Sequence, residues 1–415
     1  MAEVSTLLTK AEQALVDGFQ ASEQFAGDAA RADAIATLRA NGLPTRRIEA
    51  FHYTDLRARL RDNFAPSAKP DEAVARKALG DAKGLAFVNG FHLPDLSVAL
   101  PDGVALRHGL DGMNVTAEWS PDDAVEGLNA AFATDGVMIA VEGDVSEPMR
   151  IERVFAGVSG GLAADRTFVH VAEGANVTFV ERHSGPDHAY LTNGVVRLKV
   201  ADGATTRWII LQEDGAEATR LARLSLSLGE GSKATVFVLN AGAKLVRQEV
   251  HVEVQGEGAE LHLDGVNLVG GDAHVDVTTV IDHREPGATA EETFRNVCTG
   301  SGTGVFQGQI KVDRKAQKTD ARMACNTLLL SDRCEFNAKP ELEIFADDVA
   351  CAHGATVADL EDTHLFYLRS RGVPEAEARR LLIRAFVAEV IEGLEDEALV
   401  ETLEERLDAW MKVNV

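Results

Sequence analysis

Downstream of residue 160, apolar and polar residues alternate in short runs, and the runs come in pairs around a glycine. "TFVHVAEGANVTFVE", "VVRLKVADGATTRWIIL", "RLSLSLGEGSKATVFVL" and "EVHVEVQGEGAELHL" each place two alternating segments on either side of a turn. Alternation with a period of two buries one face of a strand and wets the other. The acidic–glycine pair supplies the turn, because glycine takes positive φ at no steric cost.

The turns return in register. They fall at Gly174-Ala175, Gly203-Ala204, Gly231-Ser232, Gly258-Ala259 and Gly287-Ala288, with glycine spacings of 29, 28, 27 and 29 residues. Lys315-Ala316 continues the series 28 residues on with lysine in the glycine's place, and Asp348 lies a further 33 on, with "SDRCEF" as the insertion. A repeat of this length signals stacked units, each covering the apolar face of its neighbour. Built from strands alone, it predicts a β-solenoid of six or more rungs over roughly 150–355. Evenly spaced hairpins in a β-sandwich are the competing reading.

The flanks have a different period. Residues 1–65 read as helical, with "AEQALVDGF" and "GDAARADAIATLRANG" stopped by Gly42 and Pro44. Residues 66–150 are mixed. After Gly354, "DLEDTHLFYLRSRG" runs to Gly372, and Pro374 opens "PEAEARRLLIRAFVAEVIEGL" at the N-terminal position that proline suits. Leu382, Phe386, Val390 and Leu394 form an apolar stripe there, flanked by Leu381, Ala385 and Ala388. "EALVETLEERLDAWMKV" reads as a last helix. The expected division is 1–149 helical and mixed, 150–357 β-helix core, and 358–415 C-terminal helical domain. The class is mainly β: a parallel solenoid between helical regions.

The net charge of −25 disfavours nucleic acid and anionic membranes as partners, since either needs a basic face. No apolar run approaches the roughly 20 residues of a spanning helix, and "MAEVSTLLTKAEQAL" lacks the form of a secretory signal. Cys298, Cys325, Cys334 and Cys351 are too few for a disulfide framework in a chain of this size, which points to a reducing cytoplasm.

Candidate chemistry is sparse. In "DDVACAHGATVADL", Cys351 and His353 stand two apart, so on an extended strand they share one face with Cα atoms about 6.5–7 Å apart. Thiolate and imidazole suit zinc or iron–sulfur chemistry, but a closed site takes four ligands and this segment offers two. A packed thiol beside a hydrogen-bonded histidine is the plainer alternative. Cys298 and Cys325, 27 apart, are expected to stack on neighbouring rungs as buried thiols. In "HVDVTTVIDH", His274 and Asp276 share a face, and with Asp282 and His283 they could hold a metal or simply line a solvated face. No phosphate loop, nucleophile elbow or H-E-x-x-H motif is present. β-Helices also host carbohydrate-active enzymes that act alone, although no carboxylate pair stands out from the turns.

Residues 294–372 change this picture. "GVFQGQIKVDRKAQKTDA", "NTLLLSD", "KPELEIFADDVACAHGATVADLEDTHLFYLRSRG" and "ARRLLIRAFVAEVI" resemble the SufB/SufD family of iron–sulfur cluster assembly proteins, as does "PTRRIEAFHYTDL" near the N-terminus. "FADDVACAHGAT" fits one branch of that family; the other usually carries an "EHEATTSKI"-type phrase and a longer chain. The resemblance implies a right-handed parallel β-helix and a non-catalytic scaffold subunit. It implies pairing with a SufB-like subunit through the β-helix, and with a SufC-like ABC-type ATPase through the C-terminal helices. A homodimer in isolation is a further possibility left open. The nascent iron–sulfur cluster would be transient cargo shared with the partner. His353 matches the family's motif histidine at the joint between chains, and so becomes the expected metal ligand; Cys351 matches the motif cysteine. Half a site is then no defect, because the other half belongs to another chain.

Overall fold

The computed structural model describes residues 7–113 and 123–415. The repeat builds a two-sheeted parallel solenoid in which each rung gives one strand to either sheet. The first sheet runs from Val104–His108 and Asp135–Val141 through Gly161–Val171, Tyr190–Val200, Thr219–Leu228, Leu245–Val254, His274–His283 and Thr303–Val312 to Glu335–Ile344. The second runs from Phe91–His92, Leu85–Val88 and Met149–Val154 through Asn176–Ser184, Thr205–Glu213, Lys233–Asn240, Glu260–Val269, Thr289–Cys298 and Asp320–Leu329 to Ala350–Asp359. Both sheets therefore reach back into the mixed region, where periodicity gave no signal because the strands there are short.

Each glycine turn carries the chain from one sheet to the other, so the paired runs are not hairpins. Gly174, Gly203, Gly231, Gly258 and Gly287 all have φ between 58° and 73°. Their amides form a ladder along one corner of the solenoid: Gly174 N–H donates to the Asp202 carbonyl at 3.0 Å, Gly203 to Glu230 at 2.7 Å and Gly231 to Glu257 at 2.8 Å. Gly258 and Gly287 continue it to Pro286 and Gln317. The next position differs from expectation. Lys318, not Lys315, takes the left-handed conformation (φ 66°) and donates to the Asp348 carbonyl at 2.6 Å. The turn after Val312 is longer than its predecessors, which displaced the register read from the sequence.

Inward residues of the two sheets interleave into one apolar column from Val137 and Ile139 at one end to Met323 and Cys325 near the other. Asn240, Asn267 and Asn296 stack in register within the second sheet. Each donates to the next carboxamide oxygen at 2.7 Å, and Asn296 ends the ladder on the Thr327 hydroxyl at 3.2 Å. Such a ladder keeps buried amides paired and fixes the register. Cys298 and Cys325 sit on neighbouring strands but not opposite each other, since Cys298 pairs with Leu329 and Cys325 with Phe294. The expected stacking of these thiols is thus corrected by four residues along the strand.

The outer faces are covered from the two flanks. Helices Glu375–Glu392 and Glu397–Asn414 lie on the second sheet, packing Ile383, Val387, Val390, Ile391 and Leu394 against Ile209, Phe237, Leu239, Val266 and Val297. The buried stripe is offset by one residue from the expected one: Val390 and Leu394 belong to it, whereas Leu382 and Phe386 flank it half-buried. On the first sheet, the N-terminal segment takes this role. Phe51 lies 4.5 Å from the Arg247 guanidinium, and the Thr54 hydroxyl lies 2.8 Å from His274 Nε2 and donates to Asp276. Asp276 also pairs with Arg247 at 2.6 Å. His274 and Asp276 do share a face, but it is buried beneath residues 51–54 rather than solvated. Asp282 faces outward to Arg284, while His283 points inward, so the four do not converge.

Candidate functional site

Both sheets end uncovered. Glu335–Ile344 and Ala350–Asp359 are the terminal strands, each paired on one side only. Ala350–Asp359 is exposed along nearly its whole length, in contrast to every rung behind it. Parallel in-register pairing transmits facing from strand to strand, so the buried residues of one strand identify the inward side of the next. Cys351 pairs with Ala321 and His353 with Met323, both buried in the core. Cys351 and His353 therefore stand on the inward-facing side, at the mouth of the solenoid. Opposite, Phe336, Ala338 and Leu342 of the other terminal strand pack on the same core.

The mouth is chemically half-built. Cys351 is half-buried against the core, while His353 is exposed. Among the described residues, no three His, Cys, Asp or Glu side chains gather into a metal-holding group. Burial raises the Cys351 thiol above its ordinary range, with the Ala321 backbone offsetting part of that and Asp320 adding to it. Cys325, one rung below and fully buried, is pushed up to about 12 by the same cause, despite the Asn296 amide 3.3 Å from its sulfur. Burial also raises Cys298, helped by Cys334 and Cys325. These thiols hold their protons at neutral pH and are poor ligands unaided. The imidazole of His353 is the accessible donor.

The two open edges differ. Ala350 N–H donates back to the Thr319 carbonyl, so along this strand Cys351, His353, Ala355 and Val357 direct their backbone groups to the open side. Glu335 N–H donates back to Gly302, which by the same alternation places Pro340 among the residues facing out on the other edge. Pro340 removes one donor from that edge without costing a ladder bond, a common way to blunt an exposed strand. No proline interrupts 350–359. The edge that carries Cys351 and His353 is the one left competent to pair.

Sequence reasoning found Cys351 and His353 but missed what stands beneath them. In register below His353 are Met323 and then Glu292. Glu292 is 1% exposed and neither oxygen has a well-formed hydrogen bond. Burial raises its pKa to about 8; the nearby Thr279 hydroxyl offsets part of this, and Asp264 adds to it. The spacings of 31 and 30 residues would have revealed this column, had the Lys318 turn not displaced the register.

The sign of the Glu292 contribution is fixed by that shift. Its folded pKa lies above the unfolded value of about 4.3, so the folded state binds the extra proton. Stability is full below about pH 4 and falls as pH rises to about 8. Glu292→Gln stays neutral throughout. Its thermal midpoint, measured against the parent by calorimetry, should rise steadily between pH 5 and 8. A difference independent of pH would mean that Glu292 is ionised in the fold.

The protein is a stacked-strand solenoid whose open edge carries an exposed imidazole and a half-buried thiol. The family described as "SUF system FeS cluster assembly, SufBD core domain" matches residues 154–386. The chain is 30% identical to the iron–sulfur cluster assembly protein SufD of Escherichia coli, over 88% of this chain and 89% of that protein. It is 30% identical to the chloroplastic protein ABCI7 of Arabidopsis thaliana, over 86% and 80%. It is 26% identical to SufB of Bacillus subtilis, over 68% and 61%. This chain belongs to the SufBD family of iron–sulfur cluster assembly proteins. Among the described residues, no helix is long and apolar enough to cross a membrane.

Proposed function

We propose that this chain is the non-catalytic scaffold subunit of a SufBCD-like complex. Its mouth joins a SufB-like subunit by adding strands across Ala350–Asp359, and the nascent cluster is cargo held between the two chains. The observation that carries this reading is the open end itself: an unpaired, proline-free edge bearing an imidazole and a thiol on its inward side. β-Augmentation supplies affinity through main-chain bonds, and the facing side chains supply the chemistry. Incomplete ligation from each side suits a cluster that has to leave. A stand-alone carbohydrate enzyme is disfavoured by the family membership, which the resemblance to iron–sulfur assembly proteins anticipated.

The same reading docks the ATPase on the C-terminal helices. Phe366 and Tyr367, on helix Asp362–Ser370, are 72% and 58% exposed, the kind of aromatic pair that anchors interfaces. Deleting 373–415 is not a clean test, because those helices cover the apolar outer face of the second sheet. The test is co-expression of the full chain with SufB-like and SufC-like partners, followed by affinity capture. Phe366→Asp should lose the ATPase, with binding at least about tenfold weaker, and keep the SufB-like subunit. Retention of both at undiminished affinity would contradict the docking assignment.

A further inference from the structure

A large cavity lies away from the mouth, on the outer face of the first sheet. It is a groove of about 1020 Å³ over Gly161–Val171, Tyr190–Val200 and Thr219–Leu228, walled by Val104–His108 and by helix Ala124–Phe132. Three strands lie between Thr219–Leu228 and the terminal strand of that sheet, so the groove and the mouth are separate places.

Two outward columns form its floor. Parallel pairing puts Phe168, Arg197 and Ser225 in one row, and His170, Lys199 and Ser227 in the next. Neighbouring members of a row are about 4.8 Å apart, which brings His170 and Lys199 side by side and sets serine hydroxyls next to the cations. At the rim, Glu126 pairs with Arg197 of the floor at 2.7 Å, and Glu253 is turned away to Arg284 at 2.9 Å. Among the described residues, no carboxylate pairs with Lys199 or His170. The centre of the groove is thus cationic in a chain of net charge −25. Toward Val104–His108 the outward floor is Phe168 and Met138, with Arg107 of the outer strand paired in register beside Met138.

We propose that this groove binds a small amphipathic anion: a phosphate or carboxylate group seated at Lys199, His170 and Ser227, and a flat apolar body lying over Met138 and Phe168. A concave site of this volume, mostly apolar with a few polar groups converging on one side, has the form of a small-molecule pocket. The charge arrangement gives the ligand its direction. The reading is independent of the pairing edge and of His353.

The test is fluorescence titration of the full-length chain with anilinonaphthalene sulfonate, an anion with a flat apolar body. The expected result is saturable binding of one molecule per chain, competed by inorganic phosphate or by acetate. Displacement by phosphate alone identifies a phosphate ligand, and displacement by acetate alone a carboxylate. Lys199→Glu should weaken binding at least about tenfold, as expected for reversing a charge within contact distance. Ala140→Trp, on the exposed floor, should abolish it by filling the groove, while Lys233→Glu, on the second sheet, should change nothing. Far-ultraviolet circular dichroism checks that each variant is folded. Absence of saturable binding, failure of both anions to compete, or binding indifferent to both Lys199→Glu and Ala140→Trp would overturn the proposal.

Discussion

His353→Ala should leave the chain folded and its complex assembled, yet abolish cluster formation. The imidazole is exposed and makes no core contact that the fold depends on, so its removal should cost at most about 1 kcal/mol. Neutral imidazole is a competent iron ligand. Cys351→Ser should do less, because burial holds that thiol protonated and half of it is packed on the core. Anaerobic reconstitution of the co-purified complex, followed by absorption, reads the loss directly. Full cluster content in the variant would remove His353 from the site. Loss of the complex would instead make it a histidine that holds the interface.

Ala355→Pro should separate pairing from folding in the opposite sense. The Ala355 N–H points to the open side, so proline there removes a donor the partner needs while sparing the ladder to Asp320–Leu329. Gly354 precedes it and tolerates the restriction that proline imposes on its predecessor. A lost hydrogen bond that strands its partner costs roughly 1–3 kcal/mol, and the ring also obstructs close approach. The SufB-like subunit should bind about ten- to a hundredfold more weakly, as measured by analytical ultracentrifugation. The variant's own melting curve should be unchanged. Unaltered pairing would show that the subunits join elsewhere, and Pro340→Ala, which restores a donor to the other edge, would then be the informative variant.

Much of this architecture was legible in the chain. Alternation marked the strands, and the glycines at 174, 203, 231, 258 and 287 marked one corner, because that corner requires positive φ in every rung. Gly42 ended its helix as expected, capping with its N–H on the Leu38 carbonyl. What the sequence concealed has physical reasons. Lys318 adopts a conformation usually left to glycine, so the last turns lost their marker. The stripe at 382–394 was displaced by one residue because the helix packs on a sheet, whose broad face selects Ile383 and Val387 rather than a helical partner. His274 and Asp276 looked like ligands because their partner Thr54 lies 220 residues away in sequence, beyond any local pattern. Cys351 and His353 were visible as a pair, but two facts about them are tertiary: that they face inward, and that their edge is the one without proline.

The ligand role proposed for His353 is in a cluster held between two chains. Pulsed electron paramagnetic resonance of the reduced, reconstituted complex tests it most directly, with histidine nitrogen isotopically labelled in this subunit alone. The expected result is a hyperfine coupling from one imidazole nitrogen that disappears in His353→Ala. A reduced cluster showing no such coupling, or the same coupling in the variant, would contradict it.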